Sequence, residues 1–99
     1  MSNVTCQPRI ISPSDNLYPG TTDISFQLGR SANVDVRIYG VSGNLIREIV
    51  NGQRLNSGLN TVRWDGQDRN GQVVGDGIYI VVILAEGKAA NRTVGVLNR

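Results

Sequence analysis

Apolar and polar residues alternate through most of this chain, and clusters of turn residues interrupt the pattern roughly every 8 to 12 residues, as in a β-sandwich or barrel. Helical periodicity is almost absent. Ile10-Ile11, bounded by Pro8 and Pro13, reads as a short edge strand, because proline cannot donate to a ladder. Ser12 to Thr21, with Pro13, Asp15, Asn16, Pro19 and Gly20, forms the loop that follows. Ile24, Phe26 and Leu28 alternate with Ser25 and Gln27, which predicts a strand with one buried face. The pattern returns with Val34, Val36 and Ile38 inward and Asp35, Arg37 and Tyr39 outward. Val41-Ser42-Gly43-Asn44 is a tight turn, and Leu45 to Val50 is the returning strand, ended by Asn51-Gly52. In the next strand Asn60, Val62 and Trp64 face the core, while Thr61 and Arg63 face out. A buried Trp64 requires an acceptor for its indole N–H.

Asp65 to Gly77 is a long connection built around the turn Asp68-Arg69-Asn70-Gly71. Ile78 to Ala85 is a strand, Glu86-Gly87 a hairpin turn, and Ala89 to Leu97 the closing strand. The expected fold is all-β, a sandwich of about seven strands without internal repeats. The strand beginning at Ile78 departs from the alternation, since both its faces are apolar. With Tyr79, Val81 and Ile83 pointing inward, Ile80, Val82 and Leu84 point outward. Such a row is either covered by neighbouring side chains or a loop, or forms a contact surface for another domain or copy.

Composition narrows the chemistry. The chain has 99 residues, a size that suits one domain, and a net charge of +2. No stretch groups more than two like charges, which argues against capture of nucleic acid or an anionic membrane. Histidine is absent, removing the commonest general base and metal ligand. Cys6 is the single cysteine, so no disulfide can form within the chain. Lys88 lies in a hairpin turn, away from any apolar pocket that would activate an amine. No catalytic residue is assigned and no cofactor is expected. The longest apolar run, Ile78 to Ala85, is far shorter than the roughly 20 residues of a membrane-spanning helix.

Two ligand readings have some footing. Asp65, Asp68, Asn70 and Asp76 place oxygen ligands within one connection, the residue types that bind calcium. A full calcium loop needs about six oxygens, including a bidentate acid, and Asp68-x-Asn70-Gly71 supplies a fragment of one that is equally ordinary turn chemistry. Carbohydrate modules use exposed aromatic rings, and here the pattern leaves only Tyr18 and Tyr39 free for that use.

Two blocks of sequence carry a family resemblance. Val34-Asp35-Val36-Arg37-Ile38-Tyr39, followed by Ser42-Gly43-Asn44-Leu45-Ile46-Arg47, forms the first. The second runs Gly58-Leu59-Asn60-Thr61-Val62-Arg63-Trp64-Asp65-Gly66-Gln67-Asp68, then Asn70-Gly71 and Gly77-Ile78-Tyr79. Together they resemble the immunoglobulin-like module of the flagellar hook-capping protein FlgD, which also recurs as a C-terminal module of secreted bacterial proteins. Gly40 stands where that family usually has Asp or Asn.

The resemblance covers roughly residues 22 to 97 and implies an immunoglobulin-like or fibronectin type III-like sandwich over 22–99. Residues 1–21 then form a leader with a short first strand, packed on it. In such a module Trp64, Asp65, Gly66, Asp68, Gly71, Gly77 and Tyr79 are structural, and the Tyr79 hydroxyl bonds a neighbouring loop. The implied function is a non-catalytic structural or interaction module of a larger extracytoplasmic bacterial protein. Its partners would be another protein or neighbouring domains of the parent chain. The alternative is an accessory module of a secreted enzyme that binds calcium or carbohydrate. The ending at Leu97-Asn98-Arg99, just after the last strand, fits a C-terminal module.

Overall fold

The structure is a computed structural model that describes residues 1–15 and 17–98. Asn16, assigned above to the loop after the first strand, and Arg99, at the C-terminal end, lie outside the described residues. Among the described residues there is no helix, and the eight strands are β1 (Ser2–Gln7), β2 (Ile10–Ile11), β3 (Thr22–Leu28), β4 (Ala32–Gly40), β5 (Leu45–Leu55), β6 (Gly58–Trp64), β7 (Gly77–Ala85) and β8 (Lys88–Val96). They form two sheets, β1-β3-β6 and β2-β8-β7-β4-β5. All neighbours are antiparallel except β2 and β8, which run parallel with Ile10 opposite Gly95 and Ile11 opposite Val96. Among the described residues no helix is long and apolar enough to cross a membrane.

The inner faces of both sheets supply one core. Ile24 and Phe26 of β3 and Trp64 of β6 meet Val34, Val36 and Ile38 of β4 and Val81 and Ile83 of β7, all at 0% exposure. These are the inward positions of the alternating pattern, and each large side chain removed from water contributes about 1.5–3 kcal/mol.

The strand count exceeds the expected seven because the leader contains two strands. Val4 and Cys6 alternate inward along β1, a pattern that Asn3, Thr5 and Gln7 make too polar and too short to recognise in isolation. The chain then crosses between the sheets at Pro8, whose carbonyl accepts a 2.7 Å hydrogen bond from the buried Thr22 hydroxyl. Residues 1–15 are thus woven into both layers.

β5 also outruns its expected end at Val50. Gly52 adopts φ +59°, which glycine tolerates freely, and its amide donates to Asp35 Oδ1 at 2.7 Å. Pairing with β4 resumes beyond this bulge at Val34 and Gln53.

Candidate functional site

The motif residues converge on one end of the sandwich, where β6 leads into the connection 65–76. Trp64 is fully buried, and its Nε1 donates to the Gln67 carbonyl at 3.0 Å, which supplies the acceptor that burial demands. Tyr79, half-buried on β7, sets its ring 5.5 Å from that of Trp64 at 59°. Its hydroxyl donates to the Gly75 carbonyl at 2.8 Å. One ring therefore ties down the start of the connection and the other its end.

Between these points the loop closes on itself. Gly66 and Val74 are joined by a 2.9 Å backbone bond, and the Asp68 amide donates to Gln72. Gly66 has φ +73°, and a Cβ there would run into the Pro13 ring and approach Ile11 Cδ1. That position must be glycine for conformation and for space. Gly71 has φ +79° but no crowding neighbour.

The carboxylates named as calcium candidates act as local acceptors. Asp65 Oδ1 accepts from the Gln67 amide at 3.2 Å and from Arg47 Nη1 at 3.0 Å. Asp68 Oδ1 accepts from the Asn70 and Gln72 amides at 2.8 and 3.1 Å. Asp76 Oδ1 accepts from the Asn98 amide at 2.8 Å. These bonds aim at separate stretches of chain, and among the described residues no group of three or more acidic, His or Cys side chains could hold a metal ion.

The leader and the tail seal the same end. Ser12 Oγ donates to the Leu97 carbonyl at 2.6 Å and accepts from the Tyr18 amide at 3.0 Å. The Ser14 amide donates to Asn98 Oδ1 at 3.0 Å, and the Asn98 carboxamide reaches the Val74 carbonyl. Sequence reasoning placed Ser12, Pro13 and Asn98 in a loop, at a strand boundary and at the chain's end, and foresaw none of these contacts. Their partners are remote in sequence, and no local pattern signals such contacts.

Gly40 lies against the Asn44 side chain. A Cβ there would fall 2.5 Å from Asn44 Oδ1, which accepts from Ser42 Oγ at 2.7 Å. Asn44 is exposed, so a side chain at position 40 would be accommodated by turning its carboxamide aside.

The outer face of the five-stranded sheet carries Ile80, Val82 and Leu84, all half-buried. Their cross-strand neighbours are Tyr39, Arg37 and Asp35 on β4 and Thr93, Asn91 and Ala89 on β8. Arg37 is itself pinned by Glu48, at 2.8 Å. Neighbouring side chains thus cover part of the row, yet the row continues to Ile78, which is 51% exposed. Tyr39 belongs to this face, whereas Tyr18 projects from the loop after β2, so the two do not form one aromatic platform. Cys6 is buried, and loss of hydration pushes its thiol pKa up against the opposing pull of Arg92 and Arg9. A thiol so placed stays protonated and unreactive.

Two sheets, a leader that gives one strand to each of them and a ring-locked connection define an immunoglobulin-like β-sandwich module. The chain belongs to the FlgD Ig-like domain family, which it matches over residues 14–89. No curated protein is similar enough in sequence to match. Among solved structures, FlgD from P. aeruginosa is similar at 23% identity and a TM-score of 0.64, covering 93% of this chain and 69% of that one. PorZ, a surface component of the type-IX secretion system of Porphyromonas gingivalis, gives 22% identity and a TM-score of 0.64. Dimeric latent PorU from the same organism gives 18% and 0.67. The chain is covered to 96% and 97% by these two, and it spans only 11% of PorZ and 9% of PorU. At these identities the likeness is one of fold.

Proposed function

We propose that the chain serves as a non-catalytic packing and docking module of a larger protein exported from a bacterial cell. One observation carries this reading. The motif residues Trp64, Asp65, Gly66, Asp68 and Tyr79 are all spent on closing the fold, while a continuous apolar row stays on the outer face of the five-stranded sheet. Ile80, Val82 and Leu84, continued by Ile78, form the side on which a neighbouring domain packs. The family relation and the multidomain setting of PorZ and PorU, in which such a fold is a small part, support the same view.

The test uses the full protein that carries this module. Val82→Arg places a charge in the apolar row without touching the inner core. It is expected to leave the isolated module folded and monodisperse while loosening interdomain packing, read as faster limited proteolysis at the module boundary. Cell fractionation of the same protein with and without residues 1–98 tests extracytoplasmic placement. Unchanged proteolysis with Val82→Arg overturns the docking face, and recovery of the protein only from the cytoplasm overturns the exported setting.

A further inference from the structure

One edge of β8 is open over most of its length. β7 pairs with the whole of Lys88–Val96, whereas β2 meets only Gly95 and Val96. On the β2 side the Gly95 amide donates to the Arg9 carbonyl at 2.8 Å and the Leu97 amide to the Ile11 carbonyl at 3.0 Å. Main-chain groups of alternate residues point to the same side of a strand, and the pairing of β8 with β7 contains no bulge. The N–H and C=O groups of Ala89, Asn91 and Thr93 therefore face the side that β2 leaves uncovered. All three residues are exposed, and no strand pairs with them there among the described residues. Such a row of main-chain donors and acceptors is a template for one more strand.

Beside this edge, between the two sheets, lies a cavity of about 220 Å³. The buried Val4 and Cys6 of β1 line it together with the exposed Arg9 and Arg92, and no acid does. Neither guanidinium has a carboxylate within ion-pair distance among the described residues. Arg92 bridges the gap, with Nε donating to the Val4 carbonyl at 3.1 Å and Nη1 to the Asn91 carbonyl at 2.6 Å. Neutral acceptors alone thus hold this charge, and one of them is a carbonyl of the open edge. Glu86, in the turn before Lys88, faces the Met1 amino group at 3.3 Å.

We propose that the open edge of β8 takes up an extended acidic segment of a partner protein as an added strand. Main-chain bonds to Ala89, Asn91 and Thr93 supply the pairing, and one aliphatic side chain enters the cavity over Val4 and Cys6. A carboxylate holds a guanidinium more strongly than a carbonyl does, so the acidic strand draws Arg92 away and frees the Asn91 carbonyl for the ladder. A second copy pairing through the same edge would set Lys88 and Arg92 against like charges, so the occupant is a different chain. This site lies on the edge of the sheet and not on its outer face, and it stands independently of the docking role argued above.

The test adds capped heptapeptides to the folded chain, Thr-Glu-Val-Asp-Val-Glu-Thr and its counterpart with Lys at the three acidic positions. Amide hydrogen exchange is the readout. The acidic peptide at millimolar concentration is expected to slow exchange at Ala89, Asn91 and Thr93 and to leave Ala90 and Arg92, already bonded to β7, unchanged. The basic peptide should have no effect. N-methylation of alternate peptide amides should abolish binding in one frame and spare it in the other. Asn91→Pro removes one edge-facing N–H without touching the ladder to β7, a place where proline is tolerated. It should weaken binding about tenfold, the scale of one lost ladder bond. Arg9→Glu should weaken the acidic peptide about threefold, the scale of one exposed ion pair. If Asn91→Pro disturbs the fold, the two methylated frames decide in its place. The proposal is overturned by unchanged exchange, by slowing centred elsewhere, by equal response to the basic peptide, or by equal binding of both methylated frames. A dimer in sedimentation that Asn91→Pro abolishes gives the edge to a second copy and overturns it as well. A chain that fails here while Val82→Arg still loosens the parent protein loses the edge site and keeps its docking face.

Discussion

Trp64 and Tyr79 belong to opposite sheets, yet their rings meet at 5.5 Å and 59° across the core. Each ring also carries a polar atom that ends on a carbonyl of the intervening connection, at Gln67 and Gly75. The pair couples the packing of the two layers to the shape of one loop. Loss of either ring should therefore be felt in both.

Trp64→Ala is expected to cost about 3–5 kcal/mol, the range for deleting a large buried aromatic. Tyr79→Phe keeps the ring contact and removes one hydrogen bond, at about 0.5–1.5 kcal/mol. Urea unfolding of the two variants checks the ranking. A Tyr79→Phe cost equal to that of Trp64→Ala would contradict the assignment of the hydroxyl to a single loop contact.

Gly66→Ala and Gly71→Ala separate conformation from crowding. Both glycines have positive φ, which costs a non-glycine residue about 1–2 kcal/mol. Only at Gly66 does the added methyl strike Pro13, adding about 1–3 kcal/mol of overpacking. Gly66→Ala should be the more destabilised variant, and Pro13→Ala should partly rescue it. Thermal unfolding of the three variants and the Gly66→Ala/Pro13→Ala pair decides this.

Asp68 gives a discriminating result for calcium. Its Oδ1 holds two backbone amides, so Asp68→Ala is expected to cost about 1–3 kcal/mol through the amides left without a partner. Because this role is mechanical, the loss should be the same with and without millimolar calcium. A melting temperature that rises with calcium in the parent chain and not in Asp68→Ala would assign the loop to metal.

Alkaline pH should destabilise the domain. Burial pushes the Cys6 thiol pKa up. Burial, joined by the charge of Asp76, does the same to the Tyr79 hydroxyl. A folded state that holds a proton more tightly than the unfolded chain is stabilised below the unfolded pKa, and it loses that stability as pH climbs through the folded one. Unfolding free energy is expected to fall as pH rises above 9.0 and on past 10.0, the ordinary values of the two groups. Denaturant titrations of the native chain and of Cys6→Ala/Tyr79→Phe, whose alkaline limb should be flatter, measure it.

The alternation from Ile24 to Trp64 was enough to orient β3, β4 and β6, because a strand with one dry face writes its burial directly into every second residue. Trp64 and Tyr79 were legible through their motif. β1 was not, since its inward residues Val4 and Cys6 are separated by polar ones and its pairing with β3 is set by partners far along the chain. The contact of Gly66 with Pro13 is hidden for a related reason. It arises where distant segments come together, and nothing local to Gly66 reports what will stand beside it.

The parallel pairing of β2 with β8 has a mechanical consequence. Met1 lies 3.3 Å from Glu86 at one end of β7, and Asn98 is held by Asp76 at the other, so the described chain enters and leaves at opposite poles of a body 41 Å long. Tension applied through those poles draws β2 and β8 in opposite directions along their shared axis. The bonds from Gly95 to Arg9 and from Leu97 to Ile11, 2.8 and 3.0 Å, are then sheared together instead of being unzipped one by one. That is the geometry of a link that resists stretching until it yields all at once.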